Sequence, residues 1–111
     1  MEFIAQAIPG VWEIKLRPIG DERGFFMRAY DRDSFEQRGL ARDWVQENHS
    51  LSTRRGTLRG LHFQRPPHAE TKLVRVIRGE ILDVFVDLRR GSPTFGRWGA
   101  IRLSDKLKNL A

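Results

Sequence analysis

Arg59-Gly60-Leu61-His62-Phe63-Gln64 is a short segment bounded by a turn-like run, Ser52-Thr53-Arg54-Arg55-Gly56, and by the breaker pair Pro66-Pro67. With the period-2 alternation of a strand, Gly60, His62 and Gln64 share one face and Leu61 and Phe63 the other. A histidine between glycine and glutamine, backed by large apolar residues, suits the wall of a polar pocket. Gly60 would let a ligand approach the backbone, and Arg59 would guard the rim. A satisfied interior histidine is the plainer alternative for the hexapeptide taken alone.

Outward from this segment, the same period recurs. Val11, Glu13, Lys15 and Arg17 alternate with Trp12, Ile14 and Leu16 between Pro9-Gly10 and Pro18, the pattern of a half-buried strand. Asp21-Glu22-Arg23-Gly24 predicts a turn and residues 25–30 a second strand. Asp33-Ser34-Phe35-Glu36 has capping-box spacing, with Gly39 ending the short helix. Residues 44–51 read as a strand. Residues 72–78 and 80–88 read as a hairpin hinged at Arg78-Gly79-Glu80, and residues 98–103 as a final strand before a short polar tail. In the 80–88 strand, Ile81, Asp83, Phe85 and Asp87 share a face, either lining a cavity or solvated at an edge. Many short strands, frequent turn signals and one short helix predict an all-β sandwich or barrel, a single domain over residues 1–111.

Composition narrows the function classes. The chain has 111 residues, 20 Lys and Arg against 14 Asp and Glu, a net charge of +6 and no cysteine. This excludes a disulfide framework and thiolate metal sites. It has no apolar run of membrane-spanning length and no signal-peptide pattern at the start, so a cytoplasmic protein without a membrane partner is expected. The positive balance favours an anionic partner, nucleic acid or a phosphorylated small molecule. The cations are scattered singly or in pairs, which favours discrete phosphate contacts over nucleic acid.

A metal is disfavoured, because the position two after His62 is Gln64, a poor ligand beside imidazole, although His68 and Glu70 follow the prolines. No Gly-x-Ser-x-Gly elbow, dinucleotide fingerprint or Walker loop is present. Proton chemistry is what remains. His62 can serve as a base near neutral pH, Lys72 can stabilise a neighbouring oxyanion, and Arg23, Arg59 and Arg75 are candidates for phosphate.

Three stretches then carry a specific resemblance: 21–26 (Asp-Glu-Arg-Gly-Phe-Phe), 46–50 (Gln-Glu-Asn-His-Ser) and 58–64 (Leu-Arg-Gly-Leu-His-Phe-Gln). Together with Lys72-Leu73-Val74-Arg75, Gly79-Glu80, Asp83-Val84, 86–89 (Val-Asp-Leu-Arg) and 92–96 (Ser-Pro-Thr-Phe-Gly), they resemble the dTDP-4-dehydrorhamnose 3,5-epimerase family, collinearly from about Ala7 to Ser104. The resemblance implies a cupin-type jelly roll that forms a homodimer, uses no cofactor or metal, and acts on a dTDP-linked 4-keto-6-deoxy sugar in deoxysugar (rhamnose) synthesis. His62 is then the base, Lys72 contacts the sugar end, and Arg23, Gln46, Glu47, Asn48 and Arg59 take the remaining substrate positions. Arg28 stands where the best-known branch has a substrate-contacting glutamate. The family continues further, and that part supplies a tyrosine acid and the aspartate that partners the base. Here the resemblance is expected to end at about Lys106. A jelly roll lacking its last strands, from a truncated or frameshifted gene or a short paralogue, is therefore expected, with impaired activity. Its alternative is a non-catalytic sugar-nucleotide-binding or dimerisation module.

Overall fold

The computed structural model describes residues 1–111. Its central strand is the one that the alternation at 11–17 predicts. β2 (Trp12–Lys15) turns Ile14 inward, 2% exposed, with Leu16 buried just beyond it. β1 (Glu2–Ala5), which the pattern did not reveal, lies antiparallel to it, Phe3 opposite Ile14 and Glu2 opposite Lys15. The other edge of β2 takes β7 (Asn109–Leu110), with Ile14 opposite Leu110. Beyond β7, Val74 and Ala111 exchange both backbone hydrogen bonds, 2.7 and 3.0 Å.

The helix α1 (Arg32–Glu36) drops Phe35, 1% exposed, onto Ile14, Leu16 and Leu110. Phe35 meets Phe3 edge-on at 5.4 Å and Tyr30 at 4.8 Å. The cap is Asp31, two residues earlier than the Asp33–Glu36 spacing predicts. Its Oδ1 accepts from the Ser34 N–H (2.9 Å) and from Ser34 Oγ (2.7 Å). Ser34 reaches the N-cap oxygen with both donors, so an Asp31-x-x-Ser34 cap outcompetes the expected box. The Gly39 N–H then bonds to the Glu36 carbonyl and closes the helix.

β3 (Ile19–Asp21) and β4 (Gly24–Phe26) form a hairpin around Glu22-Arg23. The expected strand 25–30 therefore stops at Phe26.

The largest pairing joins β5 (Glu80–Val86) to β6 (Trp98–Ser104), in register from Glu80 opposite Ser104 to Val86 opposite Trp98. This corrects the hairpin expected between 72–78 and 80–88. The decisive group is Asp87. Its buried carboxylate accepts from the Arg89 backbone N–H (3.0 Å), the Arg89 guanidinium (2.9 and 3.0 Å), Ser92 Oγ (2.6 Å) and Thr94 Oγ1 (2.6 Å). These bonds fold 87–97 into the loop that returns the chain along β5. Phe85 lies across Gly99 so closely that a Cβ there would come within 2.6 Å of the ring.

The polar tail is a further correction. Asn109 is 1% exposed. Its Nδ2 donates to Glu13 Oε1 (2.7 Å) and to the Arg102 carbonyl (2.9 Å), and its Oδ1 accepts from the Ser104 N–H (3.3 Å). Satisfied this way, a polar side chain is buried without the usual penalty.

Residues 41–73 contain no strand, against the strands expected at 44–51 and 59–64. They make two backbone–backbone hydrogen bonds, both local: Thr57 N–H to the Arg54 carbonyl and His68 N–H to the Arg65 carbonyl. The period-2 sequence is present, but a ladder needs a neighbouring strand, and no strand of this chain runs alongside. The accessible surface is correspondingly large, 9442 Å² for 12.9 kDa, where a compact monomer of that mass shows about 6,300 Å². The radius of gyration, 15.2 Å, exceeds the ~13 Å of a compact chain of this length.

Candidate functional site

Six of the expected site residues, Gln46, Glu47, Asn48, Arg59, His62 and Lys72, lie in the irregular stretch 41–73. Arg59 is its internal strut. Its Nη2 donates to the Leu51 carbonyl (3.0 Å) and its Nε to Ser52 Oγ (3.2 Å), tying the two arms of the stretch together. These are two of the guanidinium's five N–H donors, so the group can brace the chain and still meet an anion.

His62 is exposed. Gly60, with φ +100°, folds the backbone back so that a Cβ on it would stand 3.3 Å from both His62 N and His62 Nδ1. The close approach that Gly60 permits is therefore filled by the imidazole itself, rather than left to a ligand as the sequence suggested. Any side chain at 60 would be strained and would push the ring away.

Lys72 Nζ lies 3.1 Å from Glu70 Oε1. On β5, Asp83 is half-buried. Burial pushes the Asp83 carboxyl above the ordinary carboxylate range, and the Lys72 charge pulls it partly back. Asp87, just past β5, is engaged by its own bonds. The Arg89 guanidinium first, then the Ser92 and Thr94 hydroxyls, hold it well below the usual carboxylate range.

Glu47 Oε1 lies 3.4 Å from His49 Nε2. Gln46 and Asn48 are exposed alongside. The three histidines do not converge with carboxylates into a metal-holding cluster.

Arg23 and Arg28 belong to a different neighbourhood. Arg23 donates from its backbone N–H and its guanidinium to the Asp21 carboxylate, on the tip of the β3–β4 hairpin. Arg28 pairs with Asp31 at 3.4 Å. It lines a cavity of about 320 Å³ with Met1, Arg17, Ile19, Phe26 and Ser34. A second cavity, about 220 Å³, includes Arg75 and Lys108. Neither includes His62. Glu70 was considered only as a metal ligand in the sequence. Its contact with Gln64 depends on the bend at Pro66-Pro67, which spacing alone does not reveal.

An imidazole, an ammonium paired with Glu70 and a guanidinium strut are thus presented on one irregular stretch beside the paired strands. No helix is long and apolar enough to cross a membrane.

Comparison with known proteins makes this specific. The family model for dTDP-4-dehydrorhamnose 3,5-epimerase matches residues 5–110, and the chain belongs to that family. Its cupin-type jelly-roll architecture, mostly sheet with one short helix, follows that of the solved members. The dTDP-4-dehydrorhamnose 3,5-epimerase of Shigella flexneri is 48% identical over 109 residues, 97% of this chain and 60% of that relative. The crystal structure of the Bacillus anthracis enzyme with TDP and PPi bound superposes with a TM-score of 0.94 at 41% identity, covering 98% of this chain and 62% of that one. A dTDP-6-deoxy-D-glucose-3,5-epimerase from Legionella pneumophila, in complex with dTDP-4-keto-L-rhamnose, gives 0.90 at 41% identity, with 98% and 57% covered. The chain thus spans about 60% of the length of the curated relatives it matches. The match runs to residue 110, so the resemblance does not end at Lys106 as expected; β7 lies within the family pattern.

Proposed function

We propose that this chain forms one epimerase-like domain that binds a dTDP-linked 4-keto-6-deoxy sugar and removes a proton next to the ketone, in dTDP-rhamnose or related deoxysugar synthesis in the cytoplasm. The observation that carries the reading is the family match over residues 5–110, within which His62, Lys72 and Arg59 lie on one stretch. A hydrogen beside a carbonyl is acidic because its loss places charge on the carbonyl oxygen as an enolate. His62 is the base. Lys72, paired with Glu70, faces the developing oxyanion, where a fixed cation is most effective. Arg59 meets the diphosphate with the N–H groups it does not spend on Leu51 and Ser52. Gln46, Glu47 and Asn48 contact the sugar or base, and Arg23 and Arg28 contact substrate from the β3–β4 side. A homodimer without metal or cofactor completes the reading.

Proton return on the opposite face needs an acid. The one tyrosine, Tyr30, packs against Phe35, far in role from such a group. General acid–base groups each contribute typically about 10²–10⁴-fold, so exchange of the sugar's α-hydrogens with solvent should outrun net inversion. A second reading, a sugar-nucleotide-binding module without turnover, is favoured by the two local hydrogen bonds that hold 41–73.

Calorimetry with dTDP and NMR of the dTDP-4-keto sugar in deuterium oxide separate the two. Arg59→Ala should weaken dTDP binding at least about tenfold. His62→Asn should preserve binding and slow exchange about 10²-fold or more. Equal dTDP affinity for wild type and Arg59→Ala would sink the proposed site. Binding without any exchange would leave the non-catalytic reading.

A further inference from the structure

Gln64 was discounted as a ligand in the sequence and has no part in the proposed chemistry, yet it faces a dense set of acceptors. With its amide nitrogen turned towards them, as its surroundings require, it donates to Glu70 Oε2 (2.8 Å), Glu70 Oε1 (3.1 Å) and the His68 carbonyl (3.2 Å). Glu70 Oε1 in turn lies 3.1 Å from Lys72 Nζ. The bend at Pro66-Pro67, closed by the His68 N–H on the Arg65 carbonyl at 2.8 Å, brings residue 64 back to residue 70. A continuous chain of contacts therefore runs from Gln64 through Glu70 to the ammonium of Lys72.

The order of groups matters physically. A lysine side chain is a point charge on a flexible four-carbon stem, and it holds a position only when something else fixes it. Glu70 can do this only if its own carboxylate is held. A cation at position 64 would hold Glu70 but also neutralise it. The neutral amide of Gln64 fixes both carboxylate oxygens and leaves their charge for the lysine. Nζ is paired with one carboxylate oxygen at 3.1 Å, and an ammonium has three N–H donors, so it can still meet a substrate oxygen.

We propose that Gln64 and Glu70 are positioning residues that hold the Lys72 ammonium for an oxyanion. Gln64 is two residues after His62, so the same tether couples the base's segment to the cation. The functional side of this inference rests on the epimerase reading; the positioning itself does not.

Two measurements test it. An amine is acylated only when deprotonated, and a carboxylate partner suppresses that form. Brief treatment with acetic anhydride at fixed pH, read by peptide mass spectrometry, compares Lys72 with Lys15, Lys106 and Lys108 in the same molecule. Glu70→Gln should raise Lys72 labelling about two- to fivefold relative to Lys15, the range expected for a partly exposed ion pair. Gln64→Ala should raise it less, and Gln64→Lys should match Glu70→Gln by competing for the carboxylate. Should Glu70→Gln unfold the chain, raising all lysines together, the Gln64→Ala and Gln64→Lys comparison decides. Unchanged Lys72 labelling in folded variants overturns the proposal. In the deuterium exchange assay, Glu70→Gln should slow exchange in the wild-type background and have no further effect in Lys72→Met. An equal effect in both backgrounds would make Glu70 merely structural. A wild-type protein that binds no dTDP defeats the proposed function and leaves the labelling result standing.

Discussion

The end of the molecule built from β1, β2, β7 and α1 and the stretch 41–73 are made of similar sequence and held in opposite ways. In the first, Ile14, Leu16, Phe35 and Leu110 close a small core, and the backbone is paired on both sides of β2. In the second, Val45, Leu51, Leu58, Leu61 and Phe63 are exposed, and thirty-odd residues share two local backbone hydrogen bonds. Alternating apolar residues give a strand only where a neighbour accepts the ladder and covers a face. The chemistry-bearing residues sit on the half that lacks both.

The largest expected contrast is in amide hydrogen exchange. Amides of β2, β5 and β6 should be protected by about a thousandfold or more relative to those of 41–73, which have no ladder to open. Saturating dTDP should raise protection in 41–73 and leave β5 and β6 unchanged. Equal protection in the two regions before ligand is added would show that 41–73 has partners in solution.

A substitution pair sharpens the same contrast. Phe35→Ala removes a ring that is 1% exposed and should cost about 3–5 kcal/mol in denaturant unfolding. Val45→Ala, at a side chain 90% exposed, should fall within about 0.5 kcal/mol of wild type. A large loss at Val45 would reverse the assignment of held and unheld regions.

Smaller effects come from the two strand aspartates, and their signs are opposite. The folded state holds Asp87 below its unfolded value, chiefly through Arg89. Its contribution is therefore fully present above the ordinary carboxylate value of about 3.9 and declines as the pH falls below that towards the folded value. Thermal melting at pH 7 should drop for Asp87→Asn, and the acid slope of its melting temperature below about pH 4 should be shallower than wild type. Burial raises Asp83, so its ionisation opposes folding once the pH exceeds the unfolded value. Asp83→Asn should leave the melting temperature at pH 7 unchanged or slightly higher. A marked fall would show that the Lys72 attraction outweighs burial.

What was legible in the sequence follows the same division. The alternation at 11–17, 80–88 and 98–103 marks strands that exist, because each has a neighbour within the chain. The pattern at 44–51 and 59–64 is of the same kind, and nothing local says that its partner strands are wanting. The hairpin error at Arg78-Gly79-Glu80 came from reading a glycine as the turn, when Asp87 organises a longer one through hydroxyls and a guanidinium. The tail Asp105-Lys106-Leu107-Lys108-Asn109-Leu110 looks solvated by composition. Only the distant contact of Asn109 with Glu13 shows otherwise. Motif resemblance located His62, Lys72 and Arg59. Glu70 stayed hidden because its contact with Gln64 depends on a proline bend.

Asn109 has one more consequence. Its carboxamide touches Glu13 on β2 and both Arg102 and Ser104 on β6, so a single side chain spans two sheets that otherwise share few contacts. Beside the backbone bonds that Lys108 makes to Leu16 and Ser104, that junction is expected to couple the two sheets. With it intact, heat should melt the two sheets together. With a leucine in its place, of similar size but without donors or acceptors, the sheets lose their common partner, and one calorimetric transition should broaden or separate into two.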